Sequence, residues 1–351
     1  MTALRGALLT PLSGPLAIYG RAGAAALGLW AEHTAASLPT PWTTIDFEVI
    51  DAYPSAAAAM RRVLTHEPHV VFGPYGSGPA MAALEATDAP VWNHGAATDR
   101  LRRPAFANVV NVLAPASSYF AAVLEAVQVW DPTARTVSLL HSATGFGREV
   151  ARGAIDTARR LGMPLRSLQF APGQASNAAR CLADGDVLLV VGSFEDELAA
   201  APRLLDRPWR KAAFVGAGVE EVLAVLGSAR EGLLGPCQWL ARAAPPPTDG
   251  PDAAWFVRAY RAKTAEEPPY PAAAAFAAGT LWARCLRQAG SADAMSVLAV
   301  ANALSTSTLF GSFRIDPHTG LQAGHQVLVV QWQHGRRRVV WPPERAERAL
   351  V

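Results

Sequence analysis

Residues 72–84 read FGPYGSGPAMAAL and follow directly on Val70-Val71. An apolar run of the kind that forms a buried strand ends in Gly73-Pro74-Tyr75-Gly76-Ser77-Gly78. An alanine-rich stretch with helical character begins at once. A strand that hands over to a helix through glycines is a unit of an α/β fold, and its turn has two readings. One is a tight turn in which Ser77 is an ordinary helix N-cap. The other is a cradle for an anion: the first N–H groups of a helix have no partner within it, the helix dipole favours negative charge there, and glycines let the backbone approach closely. Taken alone, the stretch favours the plain turn.

The same rhythm runs outward in both directions. Strands are expected at 5–10, 44–51, 69–73, 89–93 and 108–113, with helices at 19–36, 55–65 and 79–87 between them. The pattern then restarts. A helix at 117–130 leads to strands at 136–141, 167–170, 186–192 and 212–217, separated by helices at 146–162 (Gly162 as its cap), 174–184, 194–205 and 219–227. Short apolar strands alternating with helices imply parallel sheets buried on both faces and right-handed crossovers. The proline-rich passage 243–254 is expected to be part of a linker. Helices follow at 252–264, 270–289 and 292–303, then β-structure at 308–315, 325–333 and 337–342, with QHGR as the turn of the last hairpin.

Composition narrows the function. The chain has 351 residues, 51% hydrophobic and 17% charged, with a net charge of +2. That is a folded composition, long enough for two α/β lobes. There is no basic tract with interleaved aromatics, so a nucleic-acid partner is not indicated. The one basic cluster, Arg336-Arg337-Arg338, is expected in a solvated hairpin loop. Cys181, Cys237 and Cys285 are odd in number and widely spaced, which points to free thiols rather than a disulfide framework or a zinc site. No histidine spacing suggests a metal. No stretch approaches the ~20 apolar residues of a membrane span. The N-terminal residues lack the pattern of a secretory signal. The expected location is therefore the periplasm or cell surface if a signal segment is missing from this chain, and otherwise the cytoplasm.

Several stretches together carry a family resemblance. LLTPLSGPLAIYGR (8–21), VVFGPYGSG (70–78), VWNHGAATD (91–99), GFGREVARGA (145–154), VVGSFED (190–196), VGAG (215–218), GPCQW (235–239), YPAAAAFAAG (270–279) and FGSFRIDPHTGLQAGHQVLVVQW (310–332) resemble, in order, the motifs of type I periplasmic binding proteins of the leucine/isoleucine/valine-binding branch. The resemblance spans nearly the whole chain. It implies two Rossmann-like lobes joined by a three-segment hinge, with a small ligand held between lobes that close on it. The lobes would be 1–116 plus 246–322 and 117–245 plus 323–351, with crossings near 114–118, 240–248 and 320–326.

The resemblance also implies a site. The loop bearing Tyr75, Gly76 and Ser77 would bind a ligand carboxylate through the Ser77 hydroxyl and backbone N–H groups. Gly95, Ala96 and Ala97 would offer further backbone groups and Thr98 a hydroxyl, although Thr98 and Asp99 also read as helix caps. His94 stands where the family commonly has proline and reads as a turn residue. Tyr19, expected in a loop before the first helix, would cover the ligand, with Phe146 and Phe194 on the second lobe. Trp239 and Phe276 read as core by default. Gly218 falls at or beside the position where branched-chain binders carry an acidic residue for the ligand ammonium. Glu220, Glu195 or Asp99 would have to substitute; without one, the ligand would be an amide, a short carboxylate or an aromatic acid.

Function then follows as an expectation. The resemblance implies a solute-binding protein for an amino acid or a related amide or carboxylate, working with the permease and ATPase subunits of an ABC importer. A cytoplasmic ligand sensor of the same fold is the alternative. No GxxxxGK, GxSxG, CxxC or HExxH pattern supports an enzyme, and no cofactor or metal is expected.

Overall fold

A computed structural model describes residues 2–351. The chain forms two compact units, Met1–Ala114 with Trp239–Gln326, and Pro115–Gln238 with Val327–Val351. It therefore passes from one unit to the other three times. Residues 115–116 fall in the second unit, and 239–245 and 323–326 in the first, which differs from the division expected at the hinge. Hydrogen bonding explains the shift. Trp239 donates its indole N–H to the Leu309 carbonyl (2.8 Å). Ala323 and Gly324 donate to the Arg314 carbonyl. Thr248 bonds Ser307 through backbone and hydroxyl, so the proline-rich passage is a fixed strap of the first unit rather than a free linker.

The first unit is built on a parallel sheet of β1 (Thr2–Thr10), β2 (Trp42–Asp51), β3 (Val70–Phe72), β4 (Val91–Asn93) and β5 (Val109–Asn111), in the order β2-β1-β3-β4-β5. The helices α1 (Ala17–Thr34), α2 (Ala56–Leu64) and α3 (Ser77–Leu84) connect its strands. The later segment adds α8 (Ala253–Thr264), α9 (Tyr270–Ala289), α10 (Ala294–Ala303) and a small hairpin of β11 (Ser305–Thr308) and β12 (Gly311–Arg314). The single strand expected at 308–315 is thus a hairpin, since the chain reverses at Leu309-Phe310 and enters β12 through Gly311 at φ 131°. Helix α9 is buried almost all round, as its alanine content allows. It packs against α1 where Gly279 leaves room for the Trp30 indole; a Cβ there would lie 2.3 Å from the ring.

The second unit carries a seven-stranded mixed sheet. Its strands are β6 (Val137–Ser142), β7 (Leu165–Phe170), β8 (Val187–Val191), β9 (Lys211–Phe214), β10 (Leu234–Cys237), β13 (Leu328–Gln333) and β14 (Arg336–Trp341), in the order β14-β13-β10-β9-β8-β6-β7. Neighbours from β7 to β10 run parallel, and β10-β13-β14 run antiparallel. Its helices are α4 (Ser118–Trp130), α5 (Gly145–Arg160), α6 (Ala175–Ala179) and α7 (Phe194–Leu205). The core gathers Leu140, Phe170, Leu188, Val190, Leu204, Phe214 and Trp332.

Local chemistry explains where expectation and structure part. The helix expected at 219–227 is instead an irregular turn with 3-10 character at Ala224–Arg230, interrupted by Gly227 at φ 54°. The helix expected at 174–184 closes after Ala179. Strand β10 escaped notice because it contains Pro236. Arg336, Arg337 and Arg338 lie in β14 rather than in a loop; the turn itself is His334-Gly335, both at positive φ as a two-residue hairpin demands.

Candidate functional site

In the first unit the loop after β3 is shaped by two glycines at positive φ. A Cβ on Gly73 (φ 98°) would lie 2.0 Å from the Leu9 carbonyl oxygen, and one on Gly76 (φ 93°) 2.6 Å from a Leu16 methyl. Gly76, not Ser77, is the N-cap of α3, and no side chain caps this helix. Ser77 is its first residue. Ala80 N–H already bonds the Gly76 carbonyl, and Pro79 has no N–H. The Ser77 N–H, the Ser77 hydroxyl and the Gly78 N–H take no partner from the described residues. Unclaimed donors at a helix start are the elements from which an anion site is built.

Tyrosines from three parts of the chain gather beside them. Tyr19 lies within the first turn of α1, not in a loop before it. Its ring centroid is 5.0 Å from that of Tyr75, whose hydroxyl bonds the Tyr270 hydroxyl at 2.8 Å. Tyr270, the first residue of α9, was missed in the sequence; its signal is an aromatic residue placed after Pro268-Pro269 at a helix start.

The loop after β4 is tied to its own strand through Asn93. Asn93 Oδ1 accepts the N–H groups of Gly95 (3.3 Å) and Ala96 (2.9 Å), and Asn93 Nδ2 donates to the Ala96 carbonyl (2.7 Å) and to Asn111 Oδ1 (2.9 Å). The Gly95 carbonyl accepts the Gly76 N–H at 2.9 Å. The polar backbone of Gly95 and Ala96 therefore holds this loop to the one after β3. A Cβ on Gly95 would sit 2.4 Å from Tyr75 Cα, so only glycine permits the contact. Ala97, Thr98 and Asp99 are buried, and Thr98 Oγ1 accepts the Arg100 N–H at 3.3 Å. His94 is 1% exposed, and neither ring nitrogen has a partner among the described residues. Desolvation holds its pKa down at about 4, so the ring is neutral.

In the second unit the candidates lie at the carboxyl ends of parallel strands, where open α/β sheets bind ligands. Thr144 caps α5 by accepting the Gly147 N–H (3.1 Å), which places Phe146 in the first turn, edge-on to Tyr119 at 5.8 Å. Tyr119, also missed, accepts a hydrogen bond from Gln238 Nε2 at 3.0 Å. Ser193 caps α7, and Phe194 is its first residue, half-buried. After β9 the chain turns through Val215–Gly218. A Cβ on Gly218 would lie 1.8 Å from the Pro236 carbonyl oxygen, so no acidic side chain fits at that position.

Glu220 is engaged within its own unit. Its Oε2 accepts from Arg337 Nε at 2.8 Å, while Arg337 Nη1 donates to the Gly218 carbonyl at 2.6 Å. The Arg337 side chain is 14% exposed and that of Glu220 54%. Glu195 stands in solvent. Behind the turn, Glu197 is fully buried and accepts the Gly216 N–H at 2.7 Å, and burial pushes its carboxyl up to about 8.

A family model described as periplasmic binding protein matches residues 5–337. The fold superposes on a leucine-binding protein from Thermotoga maritima with a TM-score of 0.79 at 18% identity, covering 96% of this chain and 97% of that one. A solute-binding protein of an R. palustris ABC transporter in complex with benzoate gives 0.77 at 18% identity, covering 97% and 96%. A branched-chain amino acid substrate-binding protein from Streptococcus pneumoniae in complex with isoleucine gives 0.77 at 18% identity, covering 97% and 100%. No helix among the described residues is long and apolar enough to cross a membrane. The match over nearly the entire chain, on a fold of two α/β units crossed three times by the backbone, shows that this chain belongs to the periplasmic binding protein family.

Proposed function

We propose that the chain captures a small polar solute, an amino acid or a related amide or carboxylate, for delivery to the permease and ATPase subunits of an ABC importer. One observation carries this reading. Among the described residues, the Ser77 hydroxyl, the Ser77 N–H and the Gly78 N–H are left without partners, in the loop that carries Tyr75 of the Tyr19–Tyr75–Tyr270 cluster. A plain turn would have used Ser77 as its cap; here the cap is Gly76, and the hydroxyl is left for a guest. The complexes with isoleucine and benzoate on this fold support the reading, because a carboxylate is the group those two ligands share. The work is equilibrium binding, with no covalent step.

The test is a thermal-shift screen over amino acids, amides, short-chain acids and aromatic acids. A ligand at 100 times its dissociation constant stabilises the protein by about 2.7 kcal/mol. A hit containing a carboxylate, confirmed by calorimetry, supports the reading. Absence of any stabilising compound across the four classes counts against it.

A further inference from the structure

We propose that the first unit holds a second ligand site, apart from the donors at Ser77: a cavity at the far ends of α1 and α9 that binds hydrogen phosphate through Arg287, His33 and Thr34, while the Ser37 and Thr280 hydroxyls accept the O–H that the ion itself carries. Such a site exists whether or not Ser77 receives a solute. The cavity has a volume of about 230 Å³ and is walled by the end of α1, by Gly250-Pro251 and by α9. Thr34 is the last residue of α1 and Arg287 lies in the last turn of α9, whereas Tyr19 and Tyr270 stand in the first turns. At about 1.5 Å per residue each of these helices spans roughly 25–30 Å, so the two sites lie at opposite ends of the unit.

The lining offers donors that nothing has claimed. The Arg287 guanidinium makes no ion pair or hydrogen bond with the described residues. His33 is held beside the Trp255 indole, ring centroids 4.4 Å apart, and its ring nitrogens take no partner from the described residues either. Thr34 is 6% exposed, yet its hydroxyl has no hydrogen bond with the described residues. A buried hydroxyl left unpaired carries a desolvation cost that a guest in the cavity relieves. Arginine is the side chain best matched to an oxyanion, through charge-assisted bonds from a planar fork.

The acceptors narrow the class. Ser37 Oγ donates its proton to the Thr34 carbonyl at 3.0 Å, and Thr280 Oγ1 donates to the Phe276 carbonyl at 3.1 Å. Each hydroxyl has one proton, so towards a guest both can only accept. Hydrogen phosphate brings an O–H to meet them, and sulfate does not. The wall is firm: a Cβ on Gly250 (φ 79°) would lie 2.7 Å from the Thr280 methyl, and Thr248 is bonded to Ser307. No carboxylate lines the cavity. The acids nearby have partners of their own: Glu32 with Lys263, Asp249 with the Thr306 hydroxyl, and Asp252 with the Trp255 N–H.

The test titrates inorganic phosphate and sulfate into the full chain by calorimetry, at neutral pH and matched ionic strength, with chloride as the control. Phosphate is expected to bind about tenfold or more tightly than sulfate, which leaves the two acceptors unpaired. Arg287→Met should weaken phosphate about tenfold or more, and Thr34→Val about fivefold. Ser37→Ala should narrow the preference over sulfate, and Ser77→Ala should leave phosphate affinity as in wild type. Amide shifts on phosphate titration are expected at Thr34, Ser37 and Gly250. Phosphate that does no more than chloride, sulfate that binds as tightly as phosphate, or phosphate affinity that survives Arg287→Met unchanged overturns the proposal. So does binding lost in Ser77→Ala and kept in Arg287→Met, which puts the ion at the start of α3. If Thr34→Val does not fold, Arg287→Met decides, since that side chain is exposed.

Discussion

The loop after β4 in the first unit and the turn after β9 in the second solve one problem with opposite chemistry. Each carries small residues at the carboxyl edge of its sheet, and each has a buried titratable group kept neutral beside it. In the first unit that group is a base, His94, with no partner among the described residues on either nitrogen and its pKa held down at about 4. In the second it is an acid, Glu197, bonded to the Gly216 N–H with its pKa pushed up to about 8. Desolvation is the first cause in both, and it acts in opposite directions because it penalises whichever form is charged. The first unit also leaves its donors at Ser77 unclaimed, while the second ties up its acceptors at Gly218 and Glu220.

The sharpest way to break this comparison is to crowd the turn after β9 with an acidic side chain. Gly218→Asp places a Cβ 1.8 Å from the Pro236 carbonyl oxygen, against backbone that cannot step aside. Overpacking of this kind costs about 1–3 kcal/mol and sometimes more, and a poorly paired buried carboxylate adds to that. The expected outcome is a variant that melts well below wild type. A melting point equal to that of wild type would show that the turn has more slack than its contacts indicate.

The two buried groups predict two separate pH limits. Glu197 has a folded pKa above its unfolded one, so its contribution is fully present below the ordinary carboxylate range and is lost as pH rises towards about 8. His94 has a folded pKa below its unfolded one, so its contribution is present above the ordinary imidazole value and is lost as pH falls towards about 4. Each loss amounts to a few kcal/mol at its limit. Glu197→Gln is expected to flatten the alkaline side of a stability-against-pH curve and leave the acid side alone. His94→Phe is expected to do the reverse. Unfolding titrations across both limits check this, and variants that shift both sides equally would remove the contrast between the units.

A smaller effect is expected at Asn93, whose amide accepts two N–H groups and donates two hydrogen bonds in the loop that buttresses the Ser77 end. Asn93→Ala leaves buried polar groups unpaired at about 1–3 kcal/mol. It should weaken ligand binding as a consequence, because Gly95 loses the support through which it accepts the Gly76 N–H. Proton exchange at the Gly95 and Ala96 amides would rise together.

Much of the fold was legible because short apolar strands and amphipathic or alanine-rich helices write themselves into a local pattern; the helix Tyr270–Ala289 and the strand Val187–Val191 lie where the pattern puts them. Expectation failed where one residue overrode its neighbours, as Gly227 and Gly311 did, or where Pro236 disguised a strand. The site was legible only in its local parts. Ser77 could be picked out, but whether its hydroxyl caps the helix depends on a one-residue shift of the N-cap to Gly76. The Tyr75–Tyr270 bond and the Arg337–Glu220 pair join residues 195 and 117 positions apart, and no local pattern encodes such partners. For the same reason Arg337 read as one of three solvated arginines, and Gly95 and Ala96 read as donors to a ligand when Asn93 already claims them.

Ser77→Ala draws the finest distinction between the open and closed ends. The hydroxyl caps nothing, so its removal should leave the stability of the free protein within about 0.5 kcal/mol of wild type. A carboxylate ligand that uses it loses a charge-assisted hydrogen bond and should bind about 1.5–3 kcal/mol more weakly. The two readouts move apart only if the hydroxyl serves a guest. A cap would lower the melting point of the free protein, and an idle surface serine would change neither quantity. Parallel melts of the free and ligand-saturated variant therefore separate the three roles, and a drop confined to the saturated state is the result that fits a donor held open at the start of α3.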